Sequence, residues 1–324
     1  MSKLGEVPMR HIYVSLLGML FTVGALGSVI PPNIEKTVVF IYTDEAATPG
    51  HAYGTGFLMG IPVPMHPEQS WVYLVTAQHV LHTDGNDLSS PLLPALFVRI
   101  NRKSGDSSVS GVPLRTSGPF KTVFLSPDPD VDIAVLPLSV ADPDQFDVQI
   151  LPEVLLANEE DIKTLHIGIG TDMFFAGMFT PFQGQKRNQP IVRFGRLAMI
   201  PEEKINFNGH SIDAYLVETF SFGGNSGSPV FFYPSVDNMH GELMFGPTTV
   251  KIAGVMKGFF GDIEPILAAQ VTGQNDQAVR TIPVSKSNTG VAVVVPAAHI
   301  KEILHSVELE KLRQTALSAS HQSQ

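Results

Sequence analysis

Short apolar segments rich in β-branched residues recur along this chain, and Gly, Pro, Asn and Asp separate them. Such spacing is typical of strands joined by turns in an all-β sandwich or barrel. The strand-like segments of the first half are residues 37–43, 71–77, 96–100, 121–125 and 132–138. Those of the second half are residues 166–169, 191–200, 214–219, 229–232, 251–256 and 290–296. Two sets of strands predict two packed barrels or sheets, the first over about 36–140 and the second over about 160–298.

The end of the chain has a different pattern. Ile300, Ile303, Leu304 and Val307 have the i, i+3, i+4, i+7 spacing of an apolar helix face. We therefore expect a closing helix at 299–312 that packs on the β-structure. Residues 313–324 are expected to be a flexible tail.

Composition limits the classes of partner and chemistry. The 324 residues, 44% of them hydrophobic, can bury a large core. A formal net charge of -10 offers no basic face to a phosphate backbone, so no nucleic-acid partner is expected. The absence of cysteine excludes disulfides, thiolate metal sites and cysteine nucleophiles. The oligomeric state is left open.

Residues 1–30 have the features of a targeting segment. Lys3 and Arg10 precede an uncharged apolar run at 12–30. Residues 25–27 (ALG) place small side chains as the cleavage site of an export peptidase requires. We interpret the segment as a signal peptide. An uncleaved membrane anchor is the alternative, because about 18 apolar residues can cross a bilayer. Both interpretations place the rest of the chain outside the cytoplasm, either periplasmic or secreted.

A glycine-rich turn at residues 222–230, with the sequence FGGNSGSPV, leads into an apolar strand. Glycines allow a tight turn, so the hydroxyl of Ser226 would be unobstructed. Acyl transfer requires such a nucleophile beside backbone N–H groups that face the developing oxyanion, and the amides of Gly224 and Ser226 are the candidates. Taken alone, the segment also fits an ordinary glycine-rich hairpin.

A histidine and an aspartate that could activate this serine each adjoin a strand. His79 follows the apolar segment 71–77, where the scaffold could hold it as a general base. Asp132 precedes the apolar segment 133–136, which favours its burial as the carboxylate that orients the histidine. Taken singly, His79 could be an ordinary surface or core histidine and Asp132 a turn residue.

The three segments together resemble a known family. Residues 76–79 (TAQH), 132–135 (DIAV) and 224–229 (GNSGSP), in this order, are similar to the signature segments of trypsin-like serine peptidases. The bacterial HtrA-like branch is the most similar, and residues 53–57 and 290–304 add to the likeness. The resemblance spans residues 36–305 in all.

This resemblance implies two antiparallel six-stranded β-barrels with a C-terminal helix and an active site in the cleft between the barrels. It implies Ser226 as nucleophile, His79 as general base and Asp132 as orienting carboxylate. The amides of Gly224 and Ser226 would form the oxyanion hole. The implied activity is that of a serine endopeptidase, which acts on polypeptide substrates without a cofactor or metal.

The sequence departs from the family in three places. Asn225 stands where zymogen-activated relatives have an aspartate, so we do not expect that route of activation. Ser228 replaces a usual glycine, which we expect to be tolerated. About twenty residues follow residue 304, where the likeness to the family's closing helix ends, fewer than the roughly 40–60 that an appended peptide-binding (PDZ) domain would need.

The resemblance places Phe220, Lys257 and Gly258 at the primary substrate pocket. Phe220 would lie near its base, where trypsin has a carboxylate, so cleavage after Arg or Lys is not expected. A shallow pocket for small or medium apolar side chains is favoured. Lys257 could instead point into solvent, as most lysines do.

Other classes of protein fit less well. An α/β-hydrolase places its histidine last and has a Gly-x-Ser-x-Gly motif, whose final glycine is Ser228 here. For a metal site at His79, His82 and the acidic stretch 84–87, the sequence indicates no third ligand. The serious alternative is a trypsin-like binding module with a latent or inactive site, since one fold can host unrelated functions. An active enzyme should lose activity on acidification near pH 6.5, where histidine ordinarily titrates.

Overall fold

The computed structural model describes residues 30–31, 33–138, 143–233, 250–265 and 284–322. Two β-units follow one another, and helices close the chain. Residues 1–29, which carry most of the interpreted signal peptide or anchor, lie outside the described residues. No helix in the described part of the chain is long and apolar enough to cross a bilayer.

The first unit is a sheet of eight strands. They are β1 (Val38–Tyr42), β2 (Gly54–Val63), β3 (His66–Thr76), β4 (Ala95–Asn101), β5 (Ser107–Pro113), β6 (Phe124–Leu125), β7 (Ala134–Pro137) and β8 (Leu151–Pro152). Antiparallel neighbours follow the order β5-β4-β1-β2-β3-β7-β6, and β8 lies parallel to β2. Within the expected double-barrel fold, this unit is therefore a half-barrel: an open sheet of eight strands and not a closed ring of six. Its end strand β6 has only two residues, which leaves little backbone for pairing around to β5.

The second unit is a closed barrel of six antiparallel strands, as expected. They are β9 (Asp172–Gly177), β10 (Ile191–Met199), β13 (Tyr215–Glu218), β14 (Pro229–Phe232), β15 (Lys251–Pro265) and β16 (Val284–Pro296). The order around the barrel is β10-β13-β16-β15-β14-β9. A hairpin of β11 (Ile205–Phe207) and β12 (His210–Ile212) forms a separate two-stranded sheet, whose apolar side chains pack on Val293 of the barrel. The all-β class and the division into two units are confirmed.

Strand β1 is buried along its whole length because both of its faces meet apolar side chains. Successive side chains of a strand point to opposite faces. Val39 and Ile41 lie in the largest core, which contains residues of both β-units. Phe40 and Tyr42 lie in a smaller cluster with Met178, which follows β9. Apolar packing therefore joins the first sheet to the barrel near the cleft.

Three α-helices are present among the described residues: α1 (Glu159–Thr164), α2 (Ala297–Leu304) and α3 (Val307–Gln322). Of the expected apolar face, Ile300, Ile303 and Leu304 are buried, whereas Val307 begins α3 and is exposed. The single helix at 299–312 and the flexible tail at 313–324 are not what the structure shows, since α3 continues to Gln322. Arg313 is buried and donates hydrogen bonds to the Leu304 carbonyl and the Tyr73 hydroxyl. This satisfies a carbonyl at the end of α2 and fixes α3 on the first sheet.

Candidate active site

Strand pairing brings His79 and Asp132 together. Strand β3 pairs with β7 so that Thr76 lies opposite Ala134. His79 follows β3 in a 3₁₀ turn at Gln78–Leu81, and Asp132 lies just before β7. Two residues that are 53 positions apart in sequence therefore meet at one end of the sheet.

Both oxygens of the Asp132 carboxylate bind His79. Nδ1 of the imidazole lies 2.7 Å from Oδ2, and the backbone N–H of His79 donates to Oδ1 at 2.8 Å. The aspartate is fully buried. With Nδ1 held in this way, Nε2 is left to exchange a proton with a nucleophile or leaving group.

The turn that carries Ser226 is held against the first sheet. The Thr55 amide donates to the Ser226 carbonyl at 2.9 Å. Gly224 and Gly227 have φ values of 91° and 86°, in the left-handed region that favours glycine. A Cβ at Gly227 would lie 2.0 Å from the carbonyl oxygen of Thr55. The close approach of the two β-units therefore requires glycine at this position.

Backbone amides at the turn divide into two groups. Those of Asn225, Gly227 and Ser228 donate to backbone carbonyls. Within the described part of the chain, no acceptor binds the amides of Gly224 and Ser226. These are the two amides that the sequence predicts as oxyanion donors, and the structure leaves both available for a ligand.

Two threonines bind the carbonyls of this turn. The Thr180 hydroxyl donates to the carbonyl oxygen of Gly223 at 2.6 Å, and the Thr55 hydroxyl donates to that of Gly224 at 2.7 Å. In a planar trans peptide the C=O and the following N–H point in opposite directions. By binding the Gly223 carbonyl, Thr180 therefore fixes the direction of the Gly224 N–H.

Asn225 stabilises the same turn from inside the protein. It is buried, and with Nδ2 as donor its side chain binds the Met178 carbonyl at 2.6 Å. Its oxygen then accepts from the Phe222 amide at 3.0 Å. The residue thus satisfies two backbone groups of the turn.

Lys257 contacts two of the three predicted catalytic residues. Its ammonium donates to Asp132 Oδ2 at 2.8 Å, and its carbonyl accepts the Ser226 hydroxyl at 3.1 Å. Only 9% of the lysine side chain is exposed, so the alternative that it points into solvent is wrong. Sequence reasoning missed this contact with Asp132. The available signal is a lysine inside an apolar strand, directly after the buried Met256.

The charge state of Asp132 follows from opposing effects. Burial by itself raises the pKa of Asp132, but the charges and hydrogen bonds of His79 and Lys257 outweigh this effect. Together they hold the pKa of Asp132 well below its usual range. The carboxylate is therefore ionised at neutral pH.

A cavity of about 440 Å³ lies beside these groups. Its wall includes His79, Ser226, Lys257 and Gly258, together with residues of the loop after His82 and of the β11–β12 hairpin. Two of the three residues expected at the substrate pocket, Lys257 and Gly258, line this cavity.

Phe220, the third expected pocket residue, is not part of that wall. Its side chain is 58% exposed and stacks on Phe222 at a ring centroid distance of 6.5 Å. The guanidinium of Arg193 lies over the Phe222 ring, 4.9 Å from its centroid. The two phenylalanines therefore form an exposed aromatic ledge next to the glycine turn.

The residues considered for a metal site have other partners. His82 binds the Ser90 carbonyl through Nδ1 at 2.7 Å, and Asp84 accepts from the Asn86 amide at 2.9 Å. Across the described ranges, no group of three or more His, Asp or Glu side chains could hold a metal ion.

No protein-family model matches the sequence, and comparison with curated proteins gives no significant match. In structure, the chain is similar to the apo MamO protease domain from Magnetospirillum magneticum, with 13% identity, coverage of 85% of this chain and 99% of that one, and a TM-score of 0.48. An inactive serine-to-alanine mutant of Rv3671c from M. tuberculosis shows 15% identity, coverage of 84% and 86%, and a TM-score of 0.38. Human heparin binding protein shows 11% identity, coverage of 84% and 91%, and a TM-score of 0.42. The likeness to these trypsin-like structures concerns the fold alone and carries nothing about activity.

Proposed function

We propose that this protein is a serine endopeptidase with Ser226 as nucleophile, His79 as general base and Asp132 as orienting carboxylate. The observation that carries the proposal is the buried carboxylate of Asp132, whose two oxygens hold His79 by its ring and its backbone. Ser226 lines the same cavity as His79, and the amides of Gly224 and Ser226 have no acceptor among the described residues. A nucleophile, an oriented base and oxyanion donors are what acyl transfer requires.

In the proposed reaction, Nε2 of His79 accepts the proton of the Ser226 hydroxyl while Oγ attacks the carbonyl carbon of a peptide. The amides of Gly224 and Ser226 bind the oxyanion that forms. The imidazolium then gives its proton to the departing amine, which leaves an acyl-enzyme. Water activated by His79 hydrolyses this ester and restores the serine.

A latent or binding function is the second candidate, and one observation favours it. The Ser226 hydroxyl donates to the carbonyl of Lys257. Among the described residues, no hydrogen bond joins that hydroxyl to His79. The hydroxyl must therefore turn from Lys257 toward His79 before any proton transfer, and a protein that prevented this rotation would be inactive.

Labelling with a fluorophosphonate probe, followed by mass spectrometry and a casein cleavage assay, tests the proposal on the full chain in mild detergent. We expect an adduct on Ser226 and cleavage of casein, both abolished by Ser226→Ala and by His79→Ala. The matched control is Ser228→Ala, which removes a hydroxyl from the same turn and should keep both signals. A folded protein that forms no adduct and cleaves no casein would instead support the latent or binding function.

We also propose that the chain is exported from the cytoplasm, on the evidence of its N-terminal sequence. N-terminal sequencing of protein recovered from the native host distinguishes the two forms. A new terminus close after Gly27 would indicate a cleaved signal peptide, whereas a chain that begins at Met1 and sediments with membranes would indicate an anchor. Intact protein in the cytoplasm would contradict export.

A further inference from the structure

Lys257 gives the Asp132 carboxylate a cationic partner beside the His79 ring. The Lys257 ammonium and Nδ1 of His79 both bind Oδ2 of Asp132, at 2.8 and 2.7 Å. The two nitrogens therefore lie within about 5.5 Å of each other, where like charges repel appreciably at the edge of a protein interior. Exposure is 0% for the Asp132 side chain and 9% for that of Lys257, so water screens this charge poorly.

Lys257 lies at an irregularity in strand β15 and next to an aromatic ring. The register between β15 and β16 shifts between Met256 and Gly258, which leaves Lys257 outside the regular pairing. The ring of Phe207, on the β11–β12 hairpin, lies 5.9 Å from the ammonium. The side chain is thus held between the barrel and the carboxylate of the first sheet.

We propose that Lys257 is a positioning residue, whose ammonium shares the Asp132 carboxylate with His79 and so extends the working range of the site toward acidic pH. The inference rests on the proposed function. A lone carboxylate stabilises the imidazolium form of a neighbouring histidine, and a second cation on the same oxygen offsets that stabilisation. Only the neutral imidazole can act as a base, so a cation that offsets this stabilisation favours the form that the reaction needs.

Other titratable groups near His79 are few in the described part of the chain. On the cavity wall they are Tyr53, Asp84 and His210, and the wall has no Arg and no Lys other than Lys257. His82 follows on the same turn and is bonded to a backbone carbonyl. Lys257 is therefore the permanent cation on this wall, and Asp132 is the buried carboxylate that faces the imidazole.

The test measures the titration of His79 in the full chain by NMR, with Ser226→Ala as the background so that catalysis is not needed. Lys257→Met removes the charge, and Lys257→Gln keeps a hydrogen-bond donor but not the charge. Lys257→Arg keeps the charge. Lys251→Met is the matched control, because Lys251 lies on the same strand and forms an ion pair with Asp161 at 2.8 Å, away from the site.

We expect the His79 titration midpoint to rise by about one pH unit in Lys257→Met and Lys257→Gln, a typical effect of one nearby charge. Lys257→Arg and Lys251→Met should leave it unchanged. In the active enzyme, the acid limb of kcat/KM should shift by the same amount and in the same direction. If Lys257→Met does not fold, Lys257→Gln supplies the same readout.

An unchanged or lowered midpoint in a folded neutral variant would overturn the inference. A raised midpoint in the Ser226→Ala background, together with a folded wild-type protein that forms no probe adduct on Ser226, would uphold the role of Lys257 while the peptidase proposal fails. The two failures are therefore distinguishable, since the NMR titration does not depend on activity.

Discussion

The hydroxyl of Thr180 binds the carbonyl oxygen of Gly223 at 2.6 Å, and this bond sets the direction of the Gly224 amide. Removing an oxyanion donor from a serine peptidase lowers kcat by a factor of about 10²–10³. A change that leaves the donor in place but less firmly oriented should lower kcat less. We expect Thr180→Val to lower kcat about 10-fold with little change in KM. Steady-state kinetics on a peptide ester measure both constants.

Thr180→Ser is the matched rescue, because it restores the hydroxyl, and it should recover most of the lost kcat. Thr315→Val, which removes an exposed hydroxyl on α3, should have no effect. A raised KM with unchanged kcat would indicate that Thr180 contacts the substrate instead of orienting the oxyanion hole.

Asp132 and Lys257 should depend on each other for stability. Removing one partner of a buried ion pair leaves an uncompensated charge and typically costs about 3–5 kcal/mol. We expect Asp132→Asn to lower the free energy of unfolding by about 3–5 kcal/mol. The double variant Asp132→Asn/Lys257→Met should lose clearly less free energy of unfolding than the sum of the losses in the two single variants. Urea unfolding of the wild type, the two single variants and the double variant gives the coupling energy between the two residues. Additive losses would show that the pair is not energetically linked.

Acid should remove a stabilising contribution of Asp132. Its pKa in the folded state lies below the value of about 3.9 expected for the unfolded chain. The ionised carboxylate therefore stabilises the fold above that pH, and the stabilisation is lost as the pH falls toward the folded-state value. Between about pH 5 and pH 3, the free energy of unfolding should fall more steeply for the wild type than for Asp132→Asn. Asp44→Asn, at an exposed position, should follow the wild type, and parallel curves for all three proteins would contradict the prediction.

Glycine is required at 227 for a reason that position 209 does not share. Both residues have similar positive φ values, 86° and 85°, but a Cβ at Gly227 would meet the Thr55 carbonyl at 2.0 Å, whereas none of the described atoms lies within 4 Å of one at Gly209. Gly209→Ala should therefore show the backbone cost alone, about 1 kcal/mol. Gly227→Ala should cost several times more and abolish probe labelling. Equal losses in thermal unfolding would mean that the turn can move away from the first sheet.

His79 and Asp132 each adjoin an apolar strand, but it is the resemblance of the three ordered segments to trypsin-like peptidases that identifies them in the sequence. Pairing of β3 with β7 then brings the two residues together. The role of Lys257 could not be read in the same way. Whether a lysine in an apolar strand turns outward or meets a carboxylate 125 positions earlier depends on the register shift in β15, and no local pattern encodes that shift.

The features of the fold that differ from the sequence-based expectation also arise from contacts between residues far apart in the sequence. Leu151–Pro152 adds a parallel strand to the first sheet through a backbone pairing that has no local sequence signature. At the C-terminus, the polar composition predicts a frayed tail. Instead, the buried Leu309, the hydrogen-bonded guanidinium of Arg313 and the ion pair of Lys121 with Glu308 hold α3 in place.

Asp132 belongs to the first sheet, whereas Lys257 and Ser226 belong to the barrel. The bond from Lys257 to Asp132 therefore crosses the seam between the halves, and the carbonyl of the same lysine binds the serine hydroxyl. A hinge opening that lengthened the ion pair would also draw this carbonyl away from the hydroxyl. One residue thus links the alignment of the two halves both to the buried carboxylate and to the bond that holds the serine hydroxyl away from His79.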